Sequence, residues 1–174
     1  MFFTEGNVDM EEKKDVKIYI NSVRYEVEAS LFTEETDEQT VFLPSADGDA
    51  EPEKTQIKTH GVRCVKDGRT EISYEETELT GMEGSRTIIS YTMADKGVVT
   101  MMRTGAVSTA LVFEKGKRHH CVYQTPYMPF EVCVRTLEVK NDIDTTGYME
   151  LDYIVEIRGA RAEHTKFSIR VIEE

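Results

Sequence analysis

Only three cysteines occur in the 174 residues, Cys64, Cys121 and Cys133, odd in number, far apart and without a C-x-x-C pair. That spacing argues against a disulfide framework and a thiolate zinc site, and it points to a reducing cytosol. No apolar run reaches the roughly 18 residues of a membrane-spanning helix. Met1 to Glu5 lead into acids rather than into a basic region and an apolar stretch, so neither export nor membrane insertion is expected. Lysine and arginine form no stripe, which removes nucleic acid as an expected partner. A G-x-S-x-G elbow is missing, and no cysteine has a recognisable histidine context. The glycine turn Gly81-Met82-Glu83-Gly84 carries an acid that repels phosphate. No cofactor is expected, and enzymatic activity has no support from spacing.

The net charge of −12 is unevenly spread. Residues 31 to 53 hold eight acids and no base, and residues 1 to 15 hold five acids against Lys13 and Lys14. With −8 and −3 set aside, the remaining chain carries −1. The acidity therefore belongs to an N-terminal tail (1–15) and an insertion (about 31–53) within a single domain (16–174), whose length suits one core. The insertion carries Pro44, Asp47-Gly48 and Pro52 and reads as a loop in which Thr40 to Leu43 form one short strand at most.

Elsewhere strand signals recur at short intervals. Val16, Ile18 and Ile20 alternate with polar residues, and so do Val23, Tyr25 and Val27, with a face switch at Asn21-Ser22 that predicts a bulge. Lys54 to Val65 ends at Asp67-Gly68, a hairpin signal. Arg69 to Leu79, Ser85 to Met93, Val98 to Thr104, Ala106 to Phe113 and Arg118 to Gln124 follow, each closed by turn residues. Phe130 to Val139, Tyr148 to Ile157 and Arg161 to Ile172 complete the series, with no convincing helix. The expectation is an all-β domain, a single antiparallel up-and-down barrel of about eight to ten strands.

Half of the four prolines fall in Tyr123-Gln-Thr-Pro-Tyr-Met-Pro-Phe130. Each lacks an N–H and drives its predecessor, Thr125 or Met128, towards an extended conformation. The stretch reads as a rigid aromatic corner between two strands.

Taken together, Ile72-Ser73-Tyr74-Glu75-Glu76, Gly81, Met101-Met102-Arg103-Thr104-Gly105, Phe113-Glu114-Lys115-Gly116, Tyr123-Gln124-Thr125-Pro126-Tyr127 and Gly147 to Tyr153 are familiar in order and spacing. The chain resembles, over about residues 55 to 172, the YwiB-like family of uncharacterised bacterial proteins. That resemblance implies a closed, calycin-like barrel, similar in architecture to lipocalins, and no activity. Two departures stand out: Met128 sits where the family tends to place glycine, and the acidic insertion is longer than the family's equivalent.

Arg103 shares a strand face with Val99 and Met101, so it is either a rim residue or points into the lumen. Inside, it needs a carboxylate or an anionic ligand. Glu76, on the face of Ile72 and Tyr74, is the expected inward partner, and Glu75 lies opposite. Two accounts stand: a structural ion pair that fixes the barrel, or an anion anchor walled by Tyr74, Tyr123 and Tyr127. The preferred function is a non-enzymatic binder of a small, partly apolar molecule, acidic if Arg103 anchors it. The alternative is a filled barrel acting as a structural or interaction module, its acidic insertion recruiting a protein partner. His119-His120 point to opposite strand faces and cannot chelate one metal together. Cys121 and Cys133 flank the corner and read as buried structural thiols.

Overall fold

A computed structural model describes residues 10–27, 51–157 and 161–174, with Arg161 in its backbone only. The first nine residues, the acidic insertion up to residue 50 and the short strand expected at Thr40 to Leu43 lie outside the described residues.

Ten strands follow one another: β1 Glu12–Val27, β2 Glu53–Lys66, β3 Arg69–Glu75, β4 Ser85–Thr92, β5 Val98–Gly105, β6 Thr109–Glu114, β7 Arg118–Gln124, β8 Pro129–Asp142, β9 Tyr148–Ile157 and β10 Arg161–Glu173. All pair antiparallel in one sheet, in the order β6-β5-β4-β3-β2-β1-β10-β9-β8-β7. Each strand is thus beside its neighbour in sequence except at two places. At the first, β10 pairs with β1 along the whole ladder from Val16↔Glu173 to Val27↔Ala162. At the second, β6 meets β7 through the Ser108↔Gln124 bridge, whose two N–H···O bonds measure 3.0 and 2.8 Å. Thr136 of β8 fastens the far end of that seam, accepting from Gly116 N at 2.9 Å and donating to Lys117 O at 3.1 Å. The result is a nearly closed up-and-down barrel.

The turns follow from their residues. Asp67 (φ 50°) and Gly68 (φ 72°) both occupy the left-handed region that a two-residue hairpin of the observed hand requires. In the proline corner Thr125 Oγ1 accepts from Tyr127 N at 3.3 Å and Met128 N at 3.2 Å, and it donates to Met128 O at 2.9 Å. The corner therefore turns without a left-handed residue at Met128, since Asp67 alone among the described non-glycine residues has positive φ.

Two expectations need correcting. Glu12 to Asp15, assigned to the tail, are strand residues, because they pair in register with Val65 to Val62. The bulge at Asn21-Ser22 is not there: β1 keeps one register against both β2 and β10. Its inward positions run Val16, Ile18, Ile20 and then Ser22 and Arg24, while Tyr25 stands on the outer face with its ring 5.8 Å from that of His164. The face does not switch; the lumen changes character.

One end of the barrel is solid. Val16, Ile18, Ile72, Ile89, Val99, Phe113, Met149, Leu151 and Ile169 are all buried there in one cluster. A single helical turn, Ile143–Thr146, caps that end and buries Ile143. Beneath it Asp144 bonds Arg63 at 2.9 Å, Lys96 at 2.9 Å and the Tyr91 hydroxyl at 3.0 Å. Burial alone would raise the Asp144 pKa, but the bonds from Lys96, Tyr91 and Arg63 outweigh it and hold the carboxyl below its ordinary value. Tyr91, pushed up to about 12 mainly by burial, stays a neutral donor.

Candidate functional site

At the opposite end the lumen opens into a cavity of about 350 Å³. Period two along each strand decides what it meets. Its floor is apolar: Ile20, Ile57, Leu111 and Phe167 continue the core upwards. Above that floor lie two charged stations.

The first lies on β3, β4 and β5. On β5 the inward residues are Val99, Met101 and Arg103, so Arg103 is the outermost. Its direct cross-strand partner is Thr87, which in turn faces Tyr74. Glu76 follows the last residue of β3, and its N–H bonds Ser85 O at 2.8 Å. That bond directs the carboxylate inwards, where it accepts from Thr87 Oγ1 and from Arg103 Nε, the latter at 3.3 Å. The Glu76 side chain is 2% exposed and that of Arg103 14%. Burial by itself would lower the Arg103 pKa, but Glu76, together with Tyr74, Tyr123 and Tyr153, outweighs it and the guanidinium ends above its ordinary value. Tyr74 and Tyr153 are pushed up, chiefly by burial, and remain neutral.

The guanidinium is only partly satisfied. Nε bonds Glu76 and also Thr87 at 3.2 Å. The Nη2 amine reaches the Met101 sulfur at 3.4 Å, a weak acceptor, and among the described residues no oxygen accepts from the Nη fork.

The second station lies on β2, β1 and β10, which continue the sheet from β3 in the strand order. Arg24 holds Glu53 with Nη1 and Glu163 with Nε, both at 3.5 Å. Leu79 and Met82 line the mouth beside it, and the Tyr123 hydroxyl contacts Met82 Sδ at 3.6 Å. Tyr123 stacks on Phe130 with ring centroids 5.6 Å apart and planes 5° from parallel, completing the wall.

Of the residues singled out from sequence, Arg103, Glu76, Tyr74 and Tyr123 line this one cavity. Tyr127 does not: it is 94% exposed on the outer tip of the corner, because the Thr125 turn points it away from the mouth. Glu75 lies outward, 3.5 Å from Arg86. Arg24 and Glu163 were missed. Strict alternation carried past Ile20 and back from Phe167 places both inside, and the supposed bulge hid the first.

The histidines and cysteines form no constellation. His119 bonds Glu114 at 3.4 Å and His120 is exposed on the other face. No cluster among the described residues could hold a metal ion. All three cysteines are free, and burial pushes the Cys121 and Cys133 thiols up, away from reactivity. No helix among the described residues is long and apolar enough to cross a membrane.

Fold and site together define a ten-stranded, nearly closed antiparallel barrel with a polar-rimmed cavity at one end. Residues 44–169 match the family described as Domain of unknown function (DUF1934), and the chain belongs to that family. The crystal structure of the ywiB protein from Bacillus subtilis is similar in fold, with a TM-score of 0.62 and 17% identity, over 91% of this chain and 92% of that one. Among curated proteins no sequence match was found.

Proposed function

We propose that the protein is a non-enzymatic binder of a small, partly apolar molecule carrying an anionic or strongly accepting group, with Arg103 as its anchor. One observation carries this: a guanidinium 14% exposed whose Nη fork, among the described residues, meets only a thioether inside a cavity of about 350 Å³. Charge-assisted bonds to such a fork are the strong ones, and the volume falls in the range of small-molecule sites. Glu76 holds the guanidinium by Nε and leaves its bidentate edge for a guest. Tyr74, Tyr123 and Tyr153 give the apolar walls. Lipocalin-like architecture supports the reading by analogy only. Three free thiols are in keeping with a reducing, cytoplasmic setting.

The competing account, a barrel closed and filled by its own side chains, draws on the same Arg103–Glu76 pair as a structural tie. The space above the apolar floor favours the binding reading. Titration with anilinonaphthalene sulfonate, an apolar anion, followed by its fluorescence and by displacement with octanoate, separates the two. Binding that weakens at least about tenfold in the paired variant Arg103→Met/Glu76→Gln is expected, corresponding to loss of one charge-assisted contact of about 1.4 kcal/mol or more. Equal binding by that variant, or none by the native chain, would overturn the reading.

A further inference from the structure

Among the described residues, the cavity is lined by three carboxylates, Glu53, Glu76 and Glu163, against two guanidiniums, Arg24 and Arg103. One negative charge is therefore in surplus, and its position is not arbitrary. At the inner station one carboxylate faces one guanidinium, with the Nη fork still short of acceptors. At the rim two carboxylates share Arg24, at 3.5 Å each, from opposite sides. The site thus needs an acceptor on the β5 wall and a cation on the β1–β10 wall, with the apolar residues Ile20, Ile57 and Phe167 between them. A purely anionic guest satisfies the fork and adds repulsion at the rim. A guest with both charges satisfies each station without changing the net charge of the site.

Resting on the binding reading above, we propose that the cavity selects an amphoteric ligand: an acidic group on Arg103, an ammonium on Glu163 and Glu53, and an apolar spacer between. Glu163 is then the specificity-determining residue. Its side chain is 29% exposed, less than the 66% of Glu53, so solvent screens it less and its preference for a cation is the stronger.

Three probes of one length separate the terms: octanoate, octylamine and ω-aminooctanoate, titrated calorimetrically into the full chain at low salt. The ω-amino acid is expected to bind at least about tenfold more tightly than octanoate, a gain of about 1.4 kcal/mol. In the double variant Glu53→Gln/Glu163→Gln, whose positions are on the rim, the surplus charge becomes positive. There the order reverses, with octanoate the tighter ligand. If octanoate binds the native chain and the amino group adds nothing, the amphoteric assignment fails while the binding reading stands. Octylamine binding best of the three would also overturn it, and no binding by any probe would overturn both. Retention of the native order by the double variant removes Glu53 and Glu163 from the recognition.

Discussion

Replacing Glu76 by glutamine tests whether the inner ion pair holds the open end of the barrel together. The carboxylate is 2% exposed and the Arg103 side chain 14%, so neither charge is well solvated by bulk water. Breaking such a pair by removing one partner costs about 3–5 kcal/mol when nothing replaces it. Glutamine keeps an oxygen for Thr87 Oγ1 and Arg103 Nε, and the cavity lets water reach the Nη fork. These two effects reduce the expected loss to about 2–3 kcal/mol. In a domain of this size that corresponds to about 4–12 °C in Tm. The assay is urea unfolding followed by far-UV circular dichroism, with the slope required to stay constant so that the midpoint reports stability alone. A second variant, Glu76→Leu/Arg103→Met, removes both charges and is expected within about 1 kcal/mol of the native chain, because no ion is left without its partner. A loss below about 1 kcal/mol for Glu76→Gln would place the pair in the class of surface bridges and refute the reasoning. So would a double variant less stable than the single one.

At the closed end, Asp144→Asn is expected to cost about 1–3 kcal/mol at neutral pH, since Arg63 and Lys96 lose their shared counter-ion. Because the folded pKa of Asp144 lies below its unfolded value, that contribution is complete above about pH 4 and disappears as pH falls through the folded value. The stability curves of native and variant chains should therefore converge in acid and run parallel from about pH 5 upwards; curves that stay parallel through pH 3 would contradict this. Gly147→Ala is expected to cost more than about 2 kcal/mol, because φ is +72° and a Cβ would press on the carbonyl oxygen of Val171, whose backbone is held there by the Val171 N–H to Gly147 O bond of 2.7 Å. Thermal unfolding measures it, and an unchanged Tm would refute it.

Strand identity was legible because each strand alternates and each turn carries its own chemistry. Asp67-Gly68, Gly116 and Gly147 all sit at positive φ where the chain reverses. The inward placement of Glu76 followed from the same parity, which left Arg103 as either a rim or a lumen residue, and the pair was found at 3.3 Å. Parity failed only where it was abandoned. Between Ile20 and Val27 an apolar pattern on the outer face looked like a face switch, because a sequence cannot tell an outward Tyr25 beside His164 from an inward one. Tyr127 was misplaced for a different reason: prolines announce a corner but not its direction. The Thr125 hydroxyl sets that through three hydrogen bonds that no composition signal encodes.

The same parity, followed strand by strand, shows what supports the proposed site over a structural tie. Along β1 the inward residues pass from Val16, Ile18 and Ile20 to Ser22 and Arg24, and along β5 from Val99 and Met101 to Arg103. From Ile72 and Tyr74 on β3 the inward face reaches Glu76; Ile57 on β2 gives way to Thr55 and Glu53; Ile169 and Phe167 on β10 give way to Thr165 and Glu163. Five strands make the step from apolar to polar at the same end of the barrel. Arg24 and Glu53 are exposed at the rim, as an open barrel end in water requires, but Glu76, Thr165 and the largely buried Arg103 must be repaid in hydrogen bonds that an aliphatic side chain does not need. The closed end also buries charge: Asp144 of the capping turn pairs with Arg63 and Lys96, while Arg63 Nε has no hydrogen-bond partner among the described residues. At the open end, among the described residues, the Arg103 fork meets only the Met101 sulfur, and three carboxylates stand against two guanidiniums. That arrangement over an apolar floor is the ground on which the proposed binding reading rests.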